Sequence, residues 1–176
     1  NNPTVSPEAE KLIEIDTSKW KFENVFFVYD GKEHSVRIVG LPDWVIPIYH
    51  NNTRTNAGTN KVIVSFRVPE GYQIPKDMVT EITVGKATYD PVIFSENDIE
   101  LMGNGDFKIS TPKLPDGVEA SYTVNGQKVD KDHVFSGTGT YVVKTDYTIP
   151  DSENYNPIES SEVLYNIKEE VPKNPN

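Results

Sequence analysis

Val62-Ile63-Val64-Ser65-Phe66-Arg67-Val68 is the stretch that decides the fold of this chain. Its apolar residues recur at every second position, which is the period at which a β-strand points its side chains to one face. The even-numbered positions from Val62 to Val68 are therefore predicted to face a core. Ile63, Ser65 and Arg67 are predicted to face outward.

This strand belongs to a block of sequence that occurs twice. Residues 57–69 return without gaps as residues 138–150, at an offset of 81 in the numbering. A second block, residues 41–49, returns as residues 114–122 at an offset of 73 and keeps Leu-Pro-Asp, Val and Tyr in place. Similarity at a nearly fixed period is the mark of a repeated module. Because the second offset is smaller than the first by 8, a longer hairpin loop is predicted in the second copy, around residues 125–130.

The two copies divide the 176 residues into four parts. A first β repeat is expected at 12–87 and a second at 88–168, each near the lower end of the usual size of a domain. Residues 1–11 are expected to form an N-terminal extension, and 169–176 a linker or tail. No Gly/Ser-rich or Pro-rich linker separates the copies, so a stiff junction is predicted near residue 87.

The fold class follows from how turn residues and strand residues are distributed. Thirteen Pro and eleven Gly lie scattered between runs rich in Val, Ile, Thr and Tyr, as expected of many short strands joined by turns. We therefore predict an all-β chain made of two small Ig-like β-sandwich domains arranged end to end in tandem. The alternative is a pair of β-grasp-like domains, each with a helix packed on one sheet.

Charge and composition exclude several classes of partner. The formal charge is −10, and the 17 Lys and Arg residues are dispersed along the chain, which disfavours binding to nucleic acid. No apolar stretch approaches the roughly 20 residues that span a bilayer, so no direct membrane insertion is expected. There is no Cys, which argues against a disulfide-rich secreted domain. The chain is expected to be a monomer.

One stretch differs between the copies in a way that suggests a binding surface. The alternation in residues 41–49 places Trp44, Ile46 and Ile48 outward, whereas the second copy has Gly117, Glu119 and Ser121 at the same positions. Exposed apolar clusters tend to mark contact surfaces, so these three residues form the candidate binding site. The alternative is that a loop, the N-terminal segment or the neighbouring repeat covers them.

No motif for catalysis or cofactor binding is present. The three His residues, His34, His50 and His133, are not in a recognisable nucleophile setting. The sequence also lacks a His-Glu-x-x-His motif, a phosphate-binding loop and a dinucleotide fingerprint. We therefore predict that the chain is not an enzyme and has no cofactor and no metal site.

Two short motifs in the first copy resemble a known family. Tyr29-Asp30-Gly31 suits a tight hairpin turn, and Asn56-Ala57-Gly58 precedes a strand at a point where Gly allows a positive φ. We predict that both motifs are structural turns. Together with the closing strand Ile82-Thr83-Val84-Gly85-Lys86-Ala87, they resemble the MBG/YDG-type repeats that occur in tandem in bacterial surface adhesins. The second copy lacks Tyr-Asp-Gly, so the resemblance covers it more weakly.

The resemblance implies a structural stalk or adhesion module of a bacterial cell-surface protein. Its expected location is extracellular, at the cell surface or cell wall, for example of a Gram-positive bacterium. The expected partners are a host glycoprotein, a glycan or neighbouring repeats. The alternative is a non-catalytic accessory region of a secreted enzyme.

Overall fold

A computed structural model describes residues 11–103 and 105–168. Nearly all of its regular structure is β-strand, which confirms the all-β prediction. The chain divides between Lys86 and Ala87 into two compact units. The predicted tail at 169–176 and the extension at 1–11, except Lys11, lie outside the described residues.

The first unit contains one four-stranded sheet. Its strands are β1 (Val25–Val28), β2 (Ile46–His50), β3 (Gly58–Arg67) and β4 (Met78–Gly85), in the order β1-β4-β3-β2. The pairs β2–β3 and β3–β4 are antiparallel, whereas β1 lies parallel to β4 along its outer edge.

The core of the first unit lies on the face of the sheet that the sequence predicted. Val62, Val64 and Phe66 are buried, while Lys61 and Arg67 are exposed. Extended segments cover this face, where Trp20, Phe22, Val36 and Ile38 are buried against the strands. These segments pair through an isolated antiparallel bridge between Lys21 and Val39. Burying an aliphatic or aromatic side chain of this size stabilises a fold by about 1.5–3 kcal/mol, so the alternation of β3 is enough to fix which face turns inward.

The second unit contains two sheets. The larger one has the order β11-β10-β7-β8, formed by β7 (Glu119–Val124), β8 (Gln127–Val129), β10 (Gly139–Thr148) and β11 (Ser161–Ile167). The smaller one has the order β5-β6-β9, formed by β5 (Ile99–Leu101), β6 (Phe107–Ile109) and β9 (Val134–Phe135). A short 3-10 helix, Glu96–Asp98, precedes β5 and is capped by Ser95. The core contains Phe94, Phe107, Tyr122, Phe135 and Val143.

Strand pairing in the two units follows the same register. Ile46 lies opposite Arg67 in the first unit, and Glu119 lies opposite Thr148 in the second. Ile46 and Glu119 are separated by 73, the offset of the block at 41–49, and Arg67 and Thr148 by 81, the offset of the block at 57–69. On the other side of the central strand, Ile63 pairs with Val79 and Lys144 pairs with Glu162. The sheet β2-β3-β4 is thus repeated as β7-β10-β11.

Contacts outside the sheets are repeated as well. Ile13 forms a parallel bridge to Tyr72, and Ala87 forms the same bridge to Tyr155. The Tyr49 hydroxyl accepts a hydrogen bond from the Ile38 backbone N–H at 3.0 Å. Its counterpart, the Tyr122 hydroxyl, is hydrogen-bonded to the Thr111 hydroxyl, and 111 is the position that matches 38. The repeat therefore extends well beyond the two blocks that are visible in the sequence.

The units differ at the edges of their sheets. In the second unit, β8 adds a strand beside β7 through a two-residue turn at Asn125 (φ +48°) and Gly126 (φ +82°). Positive φ at both residues and the Asn-Gly sequence are typical of a type I′ hairpin turn. The extra residues of the second copy thus form a hairpin.

The β-grasp-like alternative and the arrangement of two Ig-like sandwiches, both predicted from the sequence, differ in how the structure bears on them. The described residues contain no α-helix that could pack on a sheet, so the β-grasp-like alternative lacks support. The arrangement of two Ig-like sandwiches in tandem stays a prediction.

Candidate binding surface

The predicted site residues Ile46 and Ile48 lie on β2, on the face of the first sheet that points away from the core. Ile46 is 51% exposed and lies opposite Arg67, whereas Ile48 is half-buried and lies opposite Ser65. Trp44 lies two residues before Ile46, in the turn that leads into β2, and is 43% exposed. The structure therefore leaves Trp44 and Ile46 accessible within the described residues.

Trp44 does not stand alone at this end of the sheet. Its ring packs on that of Tyr72, with 4.7 Å between the ring centroids and 36° between their planes. The turn that carries Trp44 is closed by a 3.0 Å hydrogen bond from the Val45 N–H to the Pro42 carbonyl, and Val45 itself is buried. A buried neighbour and a packed ring hold the indole in place, so little conformational entropy would be lost when a ligand contacts it.

Two residues outside the predicted site extend this surface. Ile63 on β3 and Val79 on β4 form a directly opposed pair on the same outward face, and Val79 is 49% exposed. Ile63 is the diagonal neighbour of Ile48, within the reach of side chains across a strand pair. We call Ile46, Ile48, Ile63 and Val79 the apolar row. Ile63 could have been found from the sequence, because it aligns with Lys144 in the gap-free block.

The second unit carries polar residues at every position of the apolar row. The shared register places Glu119, Ser121, Lys144 and Glu162 where the first unit has Ile46, Ile48, Ile63 and Val79. The same scaffold thus folds with polar residues at these four positions in one copy and apolar residues in the other. The apolar row is therefore not required by the scaffold.

Net charge also differs between the copies. The first 86 residues contain 10 basic and 11 acidic side chains, and the other 90 contain 7 basic and 16 acidic. Of the net charge of −10, the first part carries −1 and the second −9. The apolar row thus lies in the nearly neutral half, where long-range repulsion of an acidic partner is weakest.

The Tyr29-Asp30-Gly31 motif forms a bend after β1 and not the tight hairpin turn that its sequence suits, because β1 pairs with β4 and not with the segment that follows the motif. Gly31 has φ +75°, and the Asp30 carboxylate accepts a 2.9 Å hydrogen bond from the Lys32 backbone N–H. The same oxygen lies 2.8 Å from His34 Nε2, and the His34 ring stacks on Phe27 with 4.1 Å between centroids. The Lys32 N–H and then His34 lower the pKa of Asp30, because both interactions favour the carboxylate. The contacts of Asp30 thus tie the bend together.

The Asn56-Ala57-Gly58 motif is held by Arg54. The Arg54 guanidinium donates to the Ala57 carbonyl at 2.6 Å and to Asn60 Oδ1 at 2.8 Å. Gly58 has φ +138° and begins β3 beside this guanidinium. Gly139 begins β10 with φ +139° at the matching position of the second unit. Both predicted turn motifs therefore lie beside sheet strands and away from the apolar row.

The histidines are distributed without a common pocket. His34 bonds Asp30, His133 packs edge-on against Phe135, and His50 Nε2 lies 3.2 Å from Ser65 Oγ on the exposed sheet face. Among the described residues, no group of three or more His, Cys, Asp or Glu side chains is arranged to hold a metal ion. In the same part of the chain, no helix has the length and apolarity needed to cross a membrane.

The chain matches no protein-family model and no curated protein. The resemblance to MBG/YDG-type repeats accordingly stays a prediction that rests on the residues quoted for it.

Proposed function

We propose that the chain is a structural and adhesive segment of a bacterial cell-surface protein, in which the first repeat contacts a host glycoprotein or glycan through the apolar row and Trp44. The observation that carries this proposal is the difference between the copies. One scaffold in one register has apolar residues at the four positions of the apolar row in the first unit and polar residues at the same four positions in the second, whose own outward apolar pair, Val142 and Leu164, lies elsewhere on the sheet.

The chemistry of the surface suits a partner with both apolar and hydroxyl-bearing faces. Trp44 offers a broad apolar ring with a donor nitrogen, and sugar rings stack on such a plate through their C–H faces. The apolar row beside it provides flat aliphatic contact area, while Arg67, opposite Ile46, supplies a charged rim. Interfaces of moderate affinity commonly combine an apolar centre with a polar rim.

Cell-surface location is tested by labelling cells of the source bacterium with antibodies raised against this chain. The proposal expects intact cells to be labelled and the label to be lost after brief treatment with an external protease. Labelling that requires permeabilised cells would refute surface display. Antigen found only in the culture medium, joined to a catalytic domain, would instead support an accessory region of a secreted enzyme.

The adhesive role is tested with Trp44→Ala. Binding of the full chain to a glycan array and to immobilised mucin is expected to fall about tenfold or more, since truncating a central aromatic anchor commonly costs about 2 kcal/mol or more. Val39→Ala, which removes an exposed aliphatic residue outside the apolar row, is the matched control and should bind like the unchanged chain. Equal binding of Trp44→Ala and the unchanged chain would contradict the role assigned to this residue.

A further inference from the structure

The outer edges of β4 and β11 are equivalent strand edges in the two repeats, but only one of them is paired. In the first unit, β1 lies parallel to β4, with Val25 opposite Ile82 and Val28 opposite Gly85. The shared register aligns β4 with β11, since Val79 and Glu162 pair with equivalent positions of the central strands. Residues 165–168 of the second unit therefore match the residues that pair with β1.

No described strand occupies that place in the second unit. β11 lies at the edge of the larger sheet, and β10 is the described strand that pairs with it. Ile99–Leu101 follows Ala87 in the sequence at the same distance at which β1 follows the equivalent residue Ile13. This segment pairs with β6 in the smaller sheet instead. The place that β1 fills in the first unit is thus left open among the described residues.

The open edge leaves part of the core uncovered. Ile82 and Val84, which β1 covers, are 0% and 1% exposed. Their counterparts Tyr165 and Ile167 are only half-buried, although both pack against the core of the second unit. An added strand would complete their burial as β1 does for Ile82 and Val84.

A groove of about 500 Å³ lies at this edge. One wall is formed by Tyr165, Asn166, Ile167 and Lys168, the residues that match the β1-pairing positions, and the other wall includes Leu101 and Asp106. Leu101 is 68% exposed. The groove therefore combines a strand edge with the apolar side chains of Tyr165, Ile167 and Leu101, beside the charged Asp106 and Lys168.

The backbone of β11 is oriented to receive a strand. In the first unit, the Gly85 carbonyl accepts from the Tyr29 N–H at 2.8 Å, and the Glu81 N–H donates to the Asn24 side chain at 3.1 Å. The odd-numbered residues of β4 thus turn their backbone groups towards β1, which places the backbone groups of Leu164, Asn166 and Lys168 at the open edge. β11 contains no Pro, which would remove a backbone donor from the edge, and the charged residues Glu162 and Lys168 flank the open positions.

We propose that this groove takes up an extended segment of another polypeptide, which adds to the larger sheet as a strand parallel to β11. The recognised segment carries apolar side chains at alternate positions, as Val25 and Phe27 do in β1, and these enter the groove against Tyr165, Ile167 and Leu101. Main-chain hydrogen bonds to the edge supply affinity, and the alternate side chains supply specificity. This interaction goes beyond the proposed adhesive face, which lies on a different unit.

The test uses the full isotope-labelled chain and a synthetic peptide with the sequence of residues 23–30, which contains β1. We expect saturable changes in the amide NMR signals of residues 164–168. A peptide with Val25 and Phe27 replaced by Asp should bind at least about tenfold more weakly, since it would place carboxylates against the apolar side chains of Tyr165, Ile167 and Leu101. This comparison requires no change to the chain itself.

Two variants of the chain separate backbone from side-chain recognition. Asn166→Pro removes an N–H from the open edge, a position at which edge strands tolerate Pro, and should weaken peptide binding about tenfold or more. Asn166→Ala keeps that N–H, so it should weaken binding clearly less than Asn166→Pro does, although it removes the hydrogen bond that the Thr140 hydroxyl donates to Asn166. The proposal is overturned if signals of residues 164–168 do not respond, if only residues 82–85 respond, or if the Asp-substituted peptide binds equally well.

Discussion

Two glycine residues show that the copies use the same backbone conformation at equivalent positions. Gly58 and Gly139 begin equivalent strands with nearly identical positive φ values, which non-Gly residues rarely adopt. Their surroundings differ, however. A Cβ on Gly58 would lie 1.8 Å from Arg54 Nη2, whereas a Cβ on Gly139 would meet no atom within 4 Å. Substituting Ala at each of these two glycines therefore separates the cost of backbone strain from the cost of steric contact with Arg54.

Gly58→Ala should destabilise the first unit more than Gly139→Ala destabilises the second. Both substitutions incur the strain of a disfavoured φ, about 1–3 kcal/mol, but only Gly58→Ala also displaces the Arg54 guanidinium from Ala57 and Asn60. The free energy of unfolding, measured by chemical denaturation, checks this order. If both substitutions lowered the free energy of unfolding equally, the displacement of Arg54 would contribute nothing to the destabilisation.

We expect the Tyr122 hydroxyl to make the stability of the second unit sensitive to alkaline pH. Burial is the main reason that the pKa of Tyr122 is raised, and the hydrogen bond with Thr111 offsets it only in part. Because the folded pKa exceeds the unfolded one, the stabilisation is fully present below the unfolded value of about 10 and is lost as the pH rises through the folded value.

Tyr122→Phe should therefore reduce the pH dependence of stability above about pH 10, although it lowers stability near neutral pH by removing a hydrogen bond, at about 0.5–1.5 kcal/mol. Thermal unfolding of the variant and the unchanged chain between neutral and alkaline pH provides the measurement. Identical alkaline slopes in the two proteins would rule out Tyr122 as the responsible group.

At the scale of strands, the alternation of buried residues could be predicted from the sequence, but the pairing between strands could be predicted only in part. The phase of β3 and β10 could be predicted because burial acts on alternate residues, and a second copy with the same spacing confirms the phase. The parallel pairing of β1 with β4 could not, because it joins segments far apart in the chain through backbone bonds that leave no period in the sequence. The open edge of β11 was hidden for the same reason, since it depends on which strand is missing.

The apolar row should be exchangeable for the residues of the second copy. Ile46→Glu together with Ile48→Ser installs side chains that the same register already holds at Glu119 and Ser121. Because Ile46 is exposed and Ile48 only half-buried, the unfolding free energy should fall by no more than about 1 kcal/mol. Val62→Ala, which empties a fully buried position on the same sheet, should cost about 2–3 kcal/mol as a reference. A loss for the double variant as large as that for Val62→Ala would mean that the row is part of the core.

At the scale of the whole molecule, each unit has its own core and its own complete set of repeated contacts. Residues 1–86 and 87–176, expressed separately, should therefore each give dispersed NMR spectra and a cooperative thermal transition. Failure of either half to fold alone would show that the repeats are not independent modules.

Function could be predicted from the sequence less fully than the fold. Ile46 is exposed as the alternation indicated, because strand phase determines exposure on β2, whereas Trp44 is exposed in the turn that precedes this strand. Val79 was missed because its strand has no gap-free match in the second copy. What the surface binds depends on a partner whose shape and chemistry are not encoded in strand periodicity, so adhesion remains a proposal.

The most direct measurement of that proposal is the retention of protein-coated beads on immobilised host glycoprotein under flow. Beads carrying the full chain should be retained, and beads carrying the Ile46→Glu, Ile48→Ser double variant should be released about tenfold faster or more, while raised salt changes retention little because the contact is largely apolar. Equal retention of the unchanged chain and the double variant would contradict the claim that the apolar row of the first repeat is the adhesive surface.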